Sequence, residues 1–183
     1  MADSATLPEA PTRHPGAYAP GMTELRFLRH AHAGDPAKWT RSDAERPLSD
    51  KGRNQAARLG RMLASIDDRP DVFITSPKVR AVQTAEGVAT AMGGKVKIVE
   101  DARLGGPLDL ATVDAIVRQA GDVERPCLVG HDPDFSELLG ELIGLGMLSM
   151  RKGAYARVDV GHPYGTGRGQ LRYLLPPDLI PEH

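Results

Sequence analysis

The sequence predicts an α/β fold: a three-layer α/β/α sandwich with a mostly parallel central sheet between two layers of helices. Three observations carry that expectation. Short apolar runs alternate with amphipathic helical patterns along most of the chain. The run "PCLVG" at 126–130 is continuously apolar, as strands buried on both faces are. A length of 183 residues suits one domain with a sizeable core.

The elements follow in order. Residues 1–22 are rich in Pro, Ala and small polar residues without periodicity, and read as a flexible leader before a single domain at 23–183. "ELRFL" at 24–28 reads as the first strand, ending abruptly in Arg29, His30 and His32. A helix follows with Ser49 as its N-cap, and Leu59, Met62, Leu63 and Ile66 share one face. "DVFIT" reads as a strand. The next helix carries Val82, Ala85, Ala89 and Met92 on one side and stops at Gly93-Gly94. "KVKIV" is a further strand, and Leu110, Val113, Ile116 and Val117 mark a helix at about 109–120. After "PCLVG", "HDPDFSELLGELIG" opens a helix with Asp132 as the expected N-cap and Pro133 in its first turn. "GAYARVDV" and "GQLRYLL" close the chain as two strands joined by a Gly-rich turn.

Composition excludes several classes. A net charge of -1 leaves no excess of basic residues for broad binding to nucleic acid or anionic membrane. The single Cys127 rules out an intramolecular disulfide and a cysteine-based zinc cluster, and reads as a small buried hydrophobe. No apolar run approaches a membrane span, and no signal-peptide pattern opens the chain, so the expected location is cytoplasmic.

In parallel sheets, ligands bind outside the carboxyl ends of the strands. Arg29 and His30 end the first strand, Arg80 opens the helix after "DVFIT", and His131 follows "PCLVG". The topology brings these positions to one rim with two helix N-termini. Guanidinium forks match phosphate oxygens in pairs, helix N-termini favour anions, and a neutral imidazole can act as a nucleophile. The chemistry points to an anion, with phosphate the best fit; sulfate or a carboxylate also suits the charge.

The segments "LRHA", "SPKVRAVQTAE" and "LVGHDPDFSELL" resemble the three signatures of the histidine phosphatase superfamily, which includes phosphoglycerate mutases and the SixA-type phosphohistidine phosphatases. "RHAHAGDPAKWTRSDAERPLSDKGRNQA", "RKGAYARVDV" and "LRYLLPPDLI" are similar to the SixA-type branch, and the likeness spans about 24–181. The resemblance implies a phosphoglycerate mutase-like fold. It implies that His30 becomes phosphorylated, while Arg29, Arg80 and His131 bind and stabilise the phosphoryl group before water releases it. It implies no metal and no cofactor, because guanidiniums supply the charge. Ser76 joins Arg29, Arg80 and His131 in the substrate-binding set, against a competing role as a turn residue before Pro77.

The sequence departs from the wider family in two ways. Ala31 stands where glycine is usual, as in many SixA-like members. No recognisable acid motif occupies "VEDARLGGPLDL"; Glu100, Asp101 and Asp109 lie there, and His32 is another conceivable proton donor. An alkyl phosphate needs a proton on its leaving oxygen, whereas a protonated imidazole leaves readily. The expected substrate is therefore a protein phosphohistidine or another labile phosphate. Two alternatives stand beside it: a phosphatase or mutase of small phosphorylated metabolites, and a catalytically weak module that binds phosphorylated ligands. Phosphate or sulfate is expected to fit the site. Other residues have plainer readings. His30 and His32 could form a metal pair on one strand face; Trp39 is expected to anchor a loop; Arg46 is expected to pair with Asp43; His14, His162 and His183 are expected at the surface.

Overall fold

The structure, a computed structural model, describes residues 22–121 and 123–182. Ten main elements alternate: β1 (Met22–Arg29), α1 (Asp50–Ser65), β2 (Val72–Thr75), α2 (Val79–Ala91), β3 (Lys97–Glu100), α3 (Leu110–Gln119), β4 (Pro126–Gly130), α4 (Asp134–Leu142), β5 (Tyr155–Gly161) and β6 (Gly169–Leu175). They build one six-stranded sheet in the order β3-β2-β4-β1-β5-β6. β1, β2, β3 and β4 pair in parallel, and β5 and β6 extend the β1 side as an antiparallel hairpin. The expected leader lies outside the described residues except for Met22, which pairs with Gly161 and belongs to β1.

Side-chain alternation along β1 divides the core in two, because successive strand residues face opposite sides of the sheet. Leu25 and Phe27 join the buried faces of α3 and α4, including Ile116 and Leu139. Leu28 joins those of α1 and α2, including Leu59, Leu63, Ala85 and Val88. Helices thus cover both faces, and every residue of β4 is buried.

Three local expectations change. Ile66 follows α1 as its C-cap and is 49 % exposed, because the chain turns away before completing the apolar stripe. Val82 is only partly buried; the buried side of α2 runs instead through Ala81, Ala85, Val88 and Ala89. Pro133, not Asp132, occupies the N-cap position of α4, without a side-chain capping bond.

One buried polar network ties the sheet to the α1–β2 connection. Arg26 is fully buried on β1. It donates from Nε to Asp68 Oδ1 at 2.9 Å and from Nη2 to the same carboxylate and to Glu24. Tyr155 and Tyr173 donate their hydroxyls to Asp68 as well. Among the described residues, no helix is long and apolar enough to cross a membrane.

Candidate active site

The carboxyl ends of β1, β2 and β4 lie side by side. Register sets Arg29 opposite Gly130 and Thr75 opposite Val129. Just beyond the strands, His30 N–H donates to the Gly130 carbonyl at 3.0 Å, and Ser76 N–H donates to the Val129 carbonyl at 2.9 Å. Three residues distant in sequence, His30, Ser76 and His131, thereby become neighbours.

His30 is 6 % exposed. Its Nδ1 lies 2.8 Å from the Ala31 carbonyl. A carbonyl only accepts, so Nδ1 carries the ring proton and Nε2 keeps its lone pair. Arg80 Nε–H donates to that Nε2 at 3.3 Å. Burial, followed by the charges of Arg80, Arg29 and Lys152, lowers the His30 pKa to about 3, although the Ala31 carbonyl opposes the shift. The imidazole is therefore neutral near pH 7, with an unprotonated nitrogen that accepts from a guanidinium.

Arg80 sits in the first turn of α2, where the chain leaves β2 through Ser76-Pro77 and the Lys78 cap. Thr84, one turn later, donates to the Arg80 carbonyl at 2.6 Å and accepts from Ala31 N–H at 3.0 Å. It thus fixes α2 to the His30 loop. The Arg80 guanidinium also donates to Asp43, from Nη1 to its carbonyl at 2.7 Å and from Nη2 to its Oδ2 at 2.9 Å.

The His131 ring centroid lies 5.0 Å from that of His30, tilted by 56°. Its Nε2 meets Ser76 Oγ at 2.9 Å. Burial first, then the charges around His30, Lys78 and Arg80, lower its pKa to about 3 as well. Arg29 reaches the same rim and pairs with Asp132 at 2.9 Å, while donating from Nη1 to the Met150 carbonyl at 2.5 Å. Two buried polar atoms here have no hydrogen-bond partner, Arg29 Nε and His131 Nδ1. Unpaired polar groups of this kind are costly and suit a site built for a polar ligand.

The structure thus gathers His30, Arg80, His131 and Ser76, with Arg29 close enough to act on His30 through its field. Asp132 loses its expected capping role to the Arg29 ion pair and to Ser136 Oγ, which donates to it at 2.9 Å. Arg46 pairs with Asp43 at 2.9 Å. Trp39 Nε1 donates to the Ser42 carbonyl at 2.9 Å, closing the loop before α1.

Of the conceivable acids, Asp101, Asp109 and His32 are engaged elsewhere. Asp101 caps the 3-10 turn Ala102–Gly105 and pairs with Arg103, whose hydrogen bond lowers its pKa. Asp109 caps α3 by accepting from Thr112 N–H at 2.7 Å. Glu100 is exposed at the end of the edge strand β3. His32 Nδ1 meets Ser49 Oγ at 2.7 Å, which holds its ring against the start of α1 rather than beside His30 as a metal pair. Gly52 permits that approach, since a Cβ there would lie 2.0 Å from the His32 carbonyl oxygen. Among the described residues, no three His, Cys, Asp or Glu side chains gather as a metal ion would need.

Two residues at the rim escaped the sequence reading as parts of the site. Lys152 arrives because Gly153 N–H donates to the Arg29 and His30 carbonyls, both at 3.1 Å. Burial and then the Arg29, Arg46 and Arg80 charges lower its pKa. Its only sequence signal, a lysine before a loop glycine, is common at solvated surfaces. Asp43 stood out only as a partner for Arg46. His162, expected at the surface, is partly buried on the opposite edge: it pairs with Asp114 and meets Thr23 Oγ1 at 3.1 Å, beside a groove of about 850 Å³. None of the residues gathered around His30 lines that groove.

Comparisons with known proteins bear on the family and the fold. The family model of the histidine phosphatase superfamily (branch 1) matches residues 25–105. An uncharacterized protein of Picosynechococcus sp. is 32% identical over 115 residues, covering 62% of this chain and 69% of that protein. The protein histidine phosphatase SixA complexed with tungstate superposes with a TM-score of 0.73 at 23% identity, over 85% of this chain and 98% of that one. A structure from Agrobacterium tumefaciens assigned as a phosphohistidine phosphatase SixA gives 0.70 at 24% identity, over 84% and 97%. The α-ribazole phosphatase from Shigella flexneri gives 0.65 at 17% identity, over 83% and 96%. These structures share the phosphoglycerate mutase-like α/β/α fold with this chain. From the family match, the related sequence and the residues that meet at the strand ends, the chain belongs to the histidine phosphatase superfamily.

Proposed function

We propose that the protein is a phosphatase that works through a phosphohistidine at His30, and that its substrate is a phosphohistidine carried on a protein. The observation that carries the reading is the state of His30: neutral, with Nδ1–H held by the Ala31 carbonyl and Nε2 facing Arg80.

In the first step the Nε2 lone pair attacks phosphorus. The new P–N bond forms as the bond to the departing imidazole breaks, and that imidazole leaves neutral because its ring was already protonated. Arg80 Nε–H transfers its hydrogen bond from Nε2 to a phosphoryl oxygen. Arg29 Nε and His131 Nδ1, both without hydrogen-bond partners in the structure, are the donors this reading assigns to the other oxygens. In the second step water attacks phosphorus, the P–Nε2 bond breaks, and phosphate leaves with the free enzyme restored. The charge is met by side-chain cations, so the steps use no metal or other cofactor. Each preorganised contact of this kind contributes about 3 kcal/mol to the barrier reduction.

The engagement of Asp101, Asp109 and His32 in caps and ring contacts favours a substrate whose leaving group needs no added proton from the enzyme. The SixA structures, one named as a protein histidine phosphatase, support the same substrate class. The test compares a phosphohistidine-bearing protein with 3-phosphoglycerate under identical conditions. Faster turnover of the phosphohistidine is expected. Faster turnover of the sugar-acid phosphate would transfer the protein to the small-molecule phosphatases, and binding without turnover would make it a recognition module.

A further inference from the structure

We propose that Asp43 is a positioning residue for the reaction, a carboxylate clamp that holds the Arg80 guanidinium against His30. The inference rests on the phosphatase reading above and adds a residue that neither the family match nor the strand-end geometry singles out.

Asp43 lies in the 3-10 turn Asp43–Glu45, between Trp39 and α1. Its side chain is 55% exposed, yet both guanidiniums it touches are nearly buried, Arg46 at 9% and Arg80 at 6%. Arg46 Nε donates to Asp43 Oδ1 at 2.9 Å, and Arg80 Nη2 donates to Oδ2 at 2.9 Å. Arg80 Nη1 adds a bond to the Asp43 carbonyl at 2.7 Å. Arg46 is anchored in turn, donating from Nη1 to the Ala33 carbonyl at 2.7 Å. A continuous chain therefore runs from the Ala33 backbone through Arg46, Asp43 and Arg80 to His30 Nε2.

The physical need for the clamp is plain. Two buried guanidiniums side by side repel, and one carboxylate between them offsets part of that repulsion. Asp43 is also the group that holds the outer edge of the Arg80 fork. Nη1 and one Nη2 proton are committed to Asp43, which leaves Nε–H and the second Nη2 proton on the edge that faces His30 and an incoming phosphoryl group. Burial opposes ionisation of Asp43, but the bonds from Arg46 and the charge of Arg80 lower its pKa. It is an anion at neutral pH and cannot serve as the missing acid. It also places a negative charge beside an anion site. Any help it gives must come from aiming Arg80, since its own field disfavours phosphate.

That conflict supplies an unusual signature. In Asp43→Ala, single-turnover phosphorylation of His30 should slow about 10- to 100-fold, whereas the affinity for inorganic phosphate should stay within about twofold or tighten. Asp43→Asn, which keeps an acceptor for Arg80, should recover part of the rate. Asp43→Ala combined with Arg46→Ala should be no slower than Asp43→Ala alone, because both act through Arg80. A second readout needs no turnover. By nitrogen NMR, the titration midpoint of the His30 ring should rise in Asp43→Ala as Arg80 loosens, because the lost contact to Nε2 outweighs the lost carboxylate charge. Turnover within threefold of the parent together with an unmoved His30 midpoint would overturn the clamp. So would a loss of phosphate affinity that runs parallel to the loss of rate, the mark of a merely structural role. If the parent protein never carries phosphate on His30 while the midpoint moves as described, the clamp stands and the phosphatase reading falls.

Discussion

Replacing Arg80 with methionine tests the site at its centre. Methionine keeps much of the apolar stem and removes the fork. The change deletes the 3.3 Å contact to His30 Nε2 and both bonds to Asp43, and leaves the Arg46–Asp43 pair intact. Two consequences can be sized. Loss of one preorganised donor at developing charge costs about 2.7–4 kcal/mol, a drop of about 10²- to 10³-fold in kcat. The Arg80 charge also contributes to the depressed His30 pKa of about 3, after burial. Without it the His30 midpoint should rise, while burial still keeps it below the ordinary 6.5. Steady-state kinetics on an aryl phosphate gives the first quantity, and NMR titration of the imidazole gives the second. A variant within about threefold of the parent in kcat, with an unmoved His30 midpoint, would refute the idea that Arg80 faces the nucleophile.

Three further outcomes follow from the same structure. His30 and His131 both titrate near 3 in the folded protein against an ordinary 6.5, so between those values the unfolded chain binds protons that the folded one does not. Stability should therefore rise with pH across that window and fall on acidification, by up to about 1.4 kcal/mol per pH unit for each histidine; denaturant titrations between pH 4.5 and 6.5 should show a shallower slope in His30→Asn. Asp68→Ala strands the fully buried Arg26 cation and removes the acceptor for Tyr155 and Tyr173, which should cost about 3–5 kcal/mol in urea unfolding; a loss below 1 kcal/mol would show that Glu24 alone satisfies Arg26. Lys152→Met removes a cation whose charge acts on His30 and should weaken inorganic phosphate binding several-fold by calorimetry, most visibly at low salt; unchanged affinity would place Lys152 outside the anion site.

The sequence carried much of this architecture because local rules agree with the global fold. The period of α1 placed Leu59 and Leu63 in the core, Ser49 capped it through its hydroxyl, and "PCLVG" became a strand buried along its whole length. His30 and His131 were legible because each sits immediately after a strand, and Arg80 because it lies in the first turn of the helix that follows β2, where topology alone predicts their meeting. Three of the misses share one cause. Asp132 looked like a cap by position, but its partner is Arg29 on the neighbouring strand. Asp43 stood out only as a partner for Arg46, and its contact with Arg80 emerges only when α2 brings that side chain against it, 37 residues away in sequence. Asp68 carried no local pattern at all, since its partners lie on β1, β5 and β6. A role set by a non-local neighbour leaves no trace in spacing.

The most direct test is chemical. The protein is incubated with a labile phosphoryl donor, quenched in alkali and mapped by peptide mass. An acid-labile, base-stable phosphoryl group on His30, absent from His30→Asn, is the predicted result. Turnover that persists in His30→Asn, or a phosphoryl group found on a different side chain, would contradict the account.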